Sequence, residues 1–194
     1  MRFAYADPPY PGMARKRYRD HPDFAGEVDH RELVDRLESE FPDGWALSTS
    51  TVALRDVLEL CPAAERARGR TRPGTGVRIA AWCKPMHQIL PLSVQYAWEP
   101  VIVRGGRQLP GRIPEVRDYV VASPTPWHAK RRHPTSIVGT KPPEFCHWLF
   151  DVLGAQAGDE LADLFPGSGA VGRAWREWSA AAPAAQFDQA TLPV

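Results

Sequence analysis

Cysteine is scarce in this 194-residue chain: Cys61, Cys83 and Cys146 are three in number, far apart and without paired ligand spacing. That excludes a disulfide framework and a zinc ribbon, and leaves buried or idle thiols. The six histidines are equally scattered, so no metal site is expected. No apolar run reaches membrane length and no cationic-apolar leader opens the chain, which predicts a cytoplasmic protein without membrane contact. Internal repeats are lacking, which excludes solenoids and propellers. A strong charge of either sign is lacking too, with a formal net charge of +1. Lysine is rare: Lys16, Lys84, Lys130 and Lys141 are the only four among 24 basic residues.

What is present is an ordinary globular composition, 43% apolar and 24% charged, in a length that suits one domain over residues 1–194. Arginine is clustered rather than spread. Arg15-Lys16-Arg17 with Arg19, then Arg66, Arg68, Arg70 and Arg72, then Lys130-Arg131-Arg132 each fall in loop-like sequence. Such clusters suit backbone phosphates of a nucleic acid, or else a solvated surface.

Strand and helix patterns alternate along the chain. Phe3–Ala6, Trp45–Ser48 and Val77–Trp82 read as buried strands. Asp29 is placed to cap a helix through Phe41 with Leu33, Val34 and Leu37 on its apolar stripe. A second helix carries Val52, Leu54, Val57, Leu58 and Leu60 and stops before Pro62, and Arg66–Gly76 reads as a loop. Trp98–Val103 and Asp118–Val121 read as a late pair of strands around a long loop. A helix bearing Phe145, Trp148, Leu149, Val152 and Leu153 precedes a strand at Glu160–Phe165 and a helix at Ala170–Ser179. The order predicts an α/β layered fold: a largely parallel twisted sheet, helices on both faces and one antiparallel hairpin.

Two constellations carry chemistry. Asp7-Pro8-Pro9-Tyr10 follows the first strand directly. The carboxyl edge of an open α/β sheet is where ligands bind. An acid, two prolines and an aromatic there make a rigid corner suited to a flat heterocycle bearing an amino group. The second is Asp163-Leu164-Phe165-Pro166-Gly167-Ser168-Gly169, a strand passing through a glycine turn into a helix. Glycines let backbone approach a ligand, and the helix N-terminus offers unpaired N–H groups. It is neither a phosphate loop nor the three-glycine dinucleotide fingerprint.

Taken with Trp82-Cys83-Lys84-Pro85 and with His133-Pro134-Thr135 before Lys141-Pro142-Pro143, these segments resemble, in order, the S-adenosylmethionine-dependent nucleic-acid amino-methyltransferases. The order is the permuted one, with the Asp-Pro-Pro-Tyr motif first and the cofactor glycines last. The compact size resembles the MT-A-type adenine-N6 enzymes and their small phage-like relatives. The resemblance implies a Rossmann-like methyltransferase domain with S-adenosylmethionine as cofactor. It assigns Asp7, Pro8, Pro9 and Tyr10 to the reacting amine. It assigns Asp163, Phe165, Gly167, Ser168, Gly169 and Lys141 to the cofactor.

It also implies a nucleic-acid partner, DNA first and RNA second, held by Arg15, Lys16, Arg17, Lys130, Arg131 and Arg132. The implied reaction is methylation of adenine N6 in DNA. The alternatives are RNA adenine N6, cytosine N4 in DNA, or a non-catalytic methyltransferase-like subunit of a complex; the partners implied extend to a homo- or hetero-oligomer. Two features depart from the family. Residues 105–143 are the only stretch available as a substrate-contacting insert. The short segment after the last helix leaves room for one further strand, with Asp188 as the candidate ribose-binding acid and an edge strand of the sheet missing.

Overall fold

The computed structural model describes residues 1–10, 26–67, 70–71, 75–85, 94–108, 116–124 and 140–181. Strand β1 (Arg2–Ala6) is buried over its last four residues, as a strand covered on both faces must be. Helix α1 (His30–Glu40) begins where Asp29 accepts the backbone N–H groups of Arg31 at 2.9 Å and Glu32 at 3.1 Å. Those are two of the donors a helix N-terminus leaves unpaired. Leu33, Val34 and Leu37 form its buried stripe. Strand β2 (Gly44–Ser48), a five-residue helix α2 (Leu54–Leu58) and a two-residue hairpin of β3 (Arg66–Ala67) with β4 (Arg70–Thr71) follow. Then come β5 (Val77–Cys83), β6 (Trp98–Gly105) and β7 (Tyr119–Val121). Helix α3 (Pro143–Val152) starts on Pro143, whose missing N–H costs a first turn nothing. Strand β8 (Glu160–Asp163) and helix α4 (Ala170–Ala181) complete the described elements.

The main sheet has six strands in the order β7-β5-β6-β2-β1-β8. Strand β1 lies parallel to β2 and to β8, and β5 lies parallel to β7. Only β6 is reversed, pairing antiparallel with both β2 and β5. Five carboxyl ends and the amino end of β6 therefore meet along one edge. Asp7, Ser48, Lys84, Ala122, Asp163 and Glu99 all stand there.

Side-chain alternation sorts the sheet into two faces. On one face Phe3, Tyr5, Ala46, Ala80, Trp82, Val101 and Val103 pack against α3 and α4 through Phe145, Trp148, Leu149, Phe150, Val171 and Ala174. On the other Ala4, Ala6, Trp45, Leu47 and Ile102 pack against α1 and α2. Fully burying a side chain of this size is worth about 1.5–3 kcal/mol, so each face anchors its own helical layer. The register carries the first face out to the ligand edge. Asp163 pairs with Tyr5, Glu99 pairs with Trp82, and Asp7 and Lys84 sit two residues beyond Tyr5 and Trp82. All four belong to the α3–α4 side.

The structure departs from the sequence pattern in three places. The strands at Trp98 and Tyr119 both exist but do not pair with each other; β6 is inserted between β5 and β2, and β7 adds in parallel to β5. The second helix is confined to Leu54–Leu58, because Val52 is exposed on a turn and contributes nothing to a core stripe. The 66–76 stretch holds the β3–β4 hairpin rather than loop alone. Among the described residues no helix is long and apolar enough to cross a membrane.

Candidate functional site

Four charged side chains meet at the carboxyl edge. Lys141, immediately before α3, is buried, and its Nζ lies 2.8 Å from Asp7 Oδ2 and 3.6 Å from Glu99 Oε2. Glu99 Oε1 pairs with Lys84 Nζ. The hydroxyl of Tyr10 also hydrogen-bonds Glu99. The result is an alternating row, Lys84–Glu99–Lys141–Asp7, drawn from β5, β6, the approach to α3 and the end of β1. Alternation is what lets such charges be buried, since an unpaired ion here would cost several kcal/mol.

The floor of the row is aromatic. Lys84 Nζ lies 4.3 Å and Lys141 Nζ 5.1 Å from the Trp82 ring centroid, and Lys141 Nζ lies 5.6 Å from that of Phe145. Ring faces attract cations by about 0.5–2 kcal/mol each. Trp82 itself is fixed by its Nε1–H donating to the Ala122 carbonyl at 2.8 Å. Beneath Asp7, the Tyr5 hydroxyl meets Ser48 Oγ at 2.8 Å. Burial, with Asp7 nearby, raises the Tyr5 phenol well above its ordinary value, so it stays neutral.

Titration follows from these neighbours. Burial opposes the charge of Lys141, yet Asp7 and Glu99 together raise it above the ordinary lysine value. Burial likewise pushes Glu99 up, but Lys141 and Lys84 pull it below the ordinary glutamate value. Asp163 behaves differently. Burial, reinforced by the charge of Asp7, raises it from 3.8 to about 6 despite the backbone N–H groups that oppose the rise. Its Oδ1 is buried without a hydrogen-bond partner among the described residues, as are Glu99 Oε2 and Thr49 Oγ1. Buried acceptors left open cost free energy until a donor reaches them. All three are at the same edge of the sheet.

The glycine turn borders Asp163. Gly167 and Gly169 have φ of +46° and +69°, a region that L side chains rarely adopt. The space a Cβ would take at Gly167 is open, its nearest neighbour being the Phe165 carbonyl at 3.9 Å. Arg173, one turn into α4, braces the turn by donating to the Ser168 carbonyl at 2.7 Å.

Asp7 through Tyr10, Lys141 and the segment from Asp163 to Gly169 are thus brought to one sheet edge, as their order in the sequence anticipates. Lys141 stands against Asp7 and Glu99. Arg15, Lys16, Arg17, Lys130, Arg131, Arg132 and Asp188 lie outside the described residues. Sequence reasoning gave too little weight to Glu99 and Lys84. One signal was available for the latter: it belongs to the Trp82-Cys83-Lys84-Pro85 segment of the resemblance. Burial pushes the Cys61 thiol up to about 11 and that of Cys146 to about 12.

No family model matches the chain, and no curated protein matches it. Solved structures do, across 38 chains. One is the crystal structure of an M1.HpyAVI–SAM complex, similar with a TM-score of 0.53 over 90% of this chain and 77% of that chain, at 15% sequence identity. The likeness is one of fold: this chain has a Rossmann-like α/β fold in common with that protein.

Proposed function

We propose that this chain is an S-adenosylmethionine-dependent methyltransferase acting on an exocyclic amino group of a nucleobase, adenine N6 in DNA before other substrates. The observation that carries the reading is the meeting of Asp7–Tyr10 and the Asp163–Gly169 turn on adjacent strand ends, β1 and β8, over one face of the sheet. The fold neighbour in complex with SAM supports the choice of cofactor.

The residues present fit that cofactor. Asp163 Oδ1 is a buried acceptor awaiting a donor such as an ammonium or hydroxyl group. The turn leaves open space against backbone at Gly167, and α4 begins directly after it, at the end where a helix offers its N–H groups. Phe165 and Ser168 belong to the same turn. When bound, S-adenosylmethionine supplies an electrophilic methyl group on a sulfonium centre.

The chain contributes orientation and electrostatics. A nucleobase amine is a weak nucleophile because its lone pair is delocalised into the ring. The Asp7 carboxylate and the Pro8 carbonyl accept its two N–H bonds. Acceptors fixed at tetrahedral directions favour the pyramidal nitrogen of the transition state over the planar ground state, which is what accelerates transfer. Pro9 stiffens the corner, since its ring fixes φ. Tyr10, tied by its hydroxyl to Glu99, offers a ring face on which the base stacks, worth about 1–3 kcal/mol. The methylated ammonium loses its proton to water, so Asp7 needs no obligatory base role. The whole chain serves as one methyltransferase domain with residues 105–143 as substrate-contacting insert. Arg15–Arg17 and Lys130–Arg132 hold the backbone phosphates flanking a base that must leave the duplex or arrive single-stranded.

Incubation with methyl-labelled S-adenosylmethionine and duplex DNA, single-stranded DNA or RNA, followed by mass analysis of the digested nucleosides, tests the reading. N6-methyldeoxyadenosine is the expected product. Label on ribonucleosides or on cytosine N4 would reassign the substrate, and absence of label from every polymer would overturn the function.

A further inference from the structure

Glu99 stands at the carboxyl edge among Lys84, Lys141 and Tyr10. It is the second residue of the single reversed strand, β6, and reaches that edge from the opposite chain direction. Its Oε1 holds Lys84, its carboxylate takes the Tyr10 hydroxyl, and its Oε2 stops 3.6 Å short of Lys141 Nζ. That Oε2 is buried and has no hydrogen-bond partner among the described residues. Lys141 Nζ is meanwhile bonded to Asp7 at 2.8 Å from a side chain that is 5% exposed. One ammonium is thus divided unequally between two carboxylates, with the farther one held ready by Lys84 and Tyr10.

Geometry explains why the division matters. A buried lysine facing Asp7 alone would commit that carboxylate to a tight ion pair, leaving it a poorer acceptor for an incoming N–H. A second carboxylate within a small displacement offers Lys141 an alternative seat. Lys141 can then lean toward Glu99 as a donor group approaches Asp7, and neither the ammonium nor the Asp7 carboxylate loses its hydrogen-bond partner. We propose that Glu99 is a positioning residue of the methyl-transfer site: it shares Lys141 with Asp7 and fixes Tyr10, so that Asp7 can exchange its lysine partner for the substrate amine. The inference rests on the methyltransferase reading above, and it acts through Asp7 rather than by contact with the reacting atoms.

The charged and titratable groups facing Lys141 are Asp7 from β1, Glu99 from β6, Lys84 from β5, Asp163 from β8 and Cys146 from α3. Among these, the two carboxylates Asp7 and Glu99 are what raise the Lys141 ammonium above its ordinary value. Removing the charge of Glu99 while keeping its shape should therefore be felt at Lys141.

The test is Glu99→Gln in the full chain, read two ways. With lysine side-chain carbons labelled, the four lysines of the chain are resolvable by NMR. The Lys141 titration midpoint should fall by about one pH unit or more in the variant, without any cofactor present. In methyl transfer from S-adenosylmethionine to an adenine-containing DNA oligonucleotide, kcat should fall about tenfold with KM for S-adenosylmethionine unchanged. Glu99→Asp, which keeps the charge, should retain the Lys141 midpoint and recover part of kcat; it also serves if Glu99→Gln does not fold. An unchanged Lys141 midpoint, or unchanged kcat in a folded Glu99→Gln chain, overturns the proposal. If the midpoint shifts while the wild-type chain methylates no nucleobase, the coupling of Glu99 to Lys141 is upheld and the inferred reaction is what fails.

Discussion

Asp159 immediately precedes β8 and Asp163 ends it, and burial pushes both carboxyls upward, yet they end far apart. At Asp159, Arg107 donates Nη1 to Oδ2 at 2.6 Å and Nη2 to Oδ1 at 2.9 Å. The Met1 amine adds 2.6 Å to Oδ1 and the Gln156 N–H 2.8 Å to Oδ2. Those donors overcome burial and pull Asp159 from 3.8 to about 2. At Asp163 burial prevails, Oδ1 finds no donor, and the group stands at about 6. The first cluster ties the start of β1, the exit of β6 and the entry of β8 at the amino edge, and is closed. The second, at the carboxyl edge, is open. A sheet can hold ion pairs as fasteners or as a receptive surface, and what separates the two is whether every lone pair is already taken.

The comparison breaks most sharply at Asp7. Asp7→Ala should lower methyl transfer by about a thousandfold or more, since it removes an acceptor realised in the transition state. Affinity for S-adenosylmethionine, measured by calorimetry, should stay within a few-fold. Arg107→Ala should do the reverse. It leaves a buried carboxylate short of two hydrogen bonds and should cost about 2 kcal/mol of stability in denaturant melts, with kcat unchanged. The acid limb sharpens the same contrast. Because Asp159 is depressed, its contribution is present above pH 3.8 and is lost as pH falls toward 2. The slope of stability against pH in that window should flatten in Arg107→Ala. A loss of turnover there would mean that the two ends of the sheet are not separable.

Much of this site was legible before any coordinates. Phe3–Ala6 had to be a buried strand from its unbroken apolar run, and Asp7-Pro8-Pro9 had to end it, because proline cannot continue a ladder. Asp29 announced α1, and the glycines at 167 and 169 announced a turn that only they adopt readily. Pairing was not legible. Nothing local in Trp98–Gly105 says that it inserts between β5 and β2, since that choice is settled by which faces Val101, Ile102 and Val103 can bury across the sheet. Glu99 was given too little weight for the same reason. In sequence it is an acid between Trp98 and Pro100; only its register opposite Trp82 turns it toward Lys84 and Lys141.

Asp163 gives the most direct test of the claim that the open edge receives the cofactor. Raised to about 6, its carboxyl is mostly protonated at pH 5.5 in the free chain, and a donor arriving at Oδ1 favours the ionised form. Calorimetric titration of S-adenosylmethionine at pH 5.5, in two buffers of different ionisation enthalpy, counts the protons released. Binding should release up to about three-quarters of a proton, a release absent from Asp163→Asn. Binding without proton release in the unaltered chain, or no binding at all, would contradict the account.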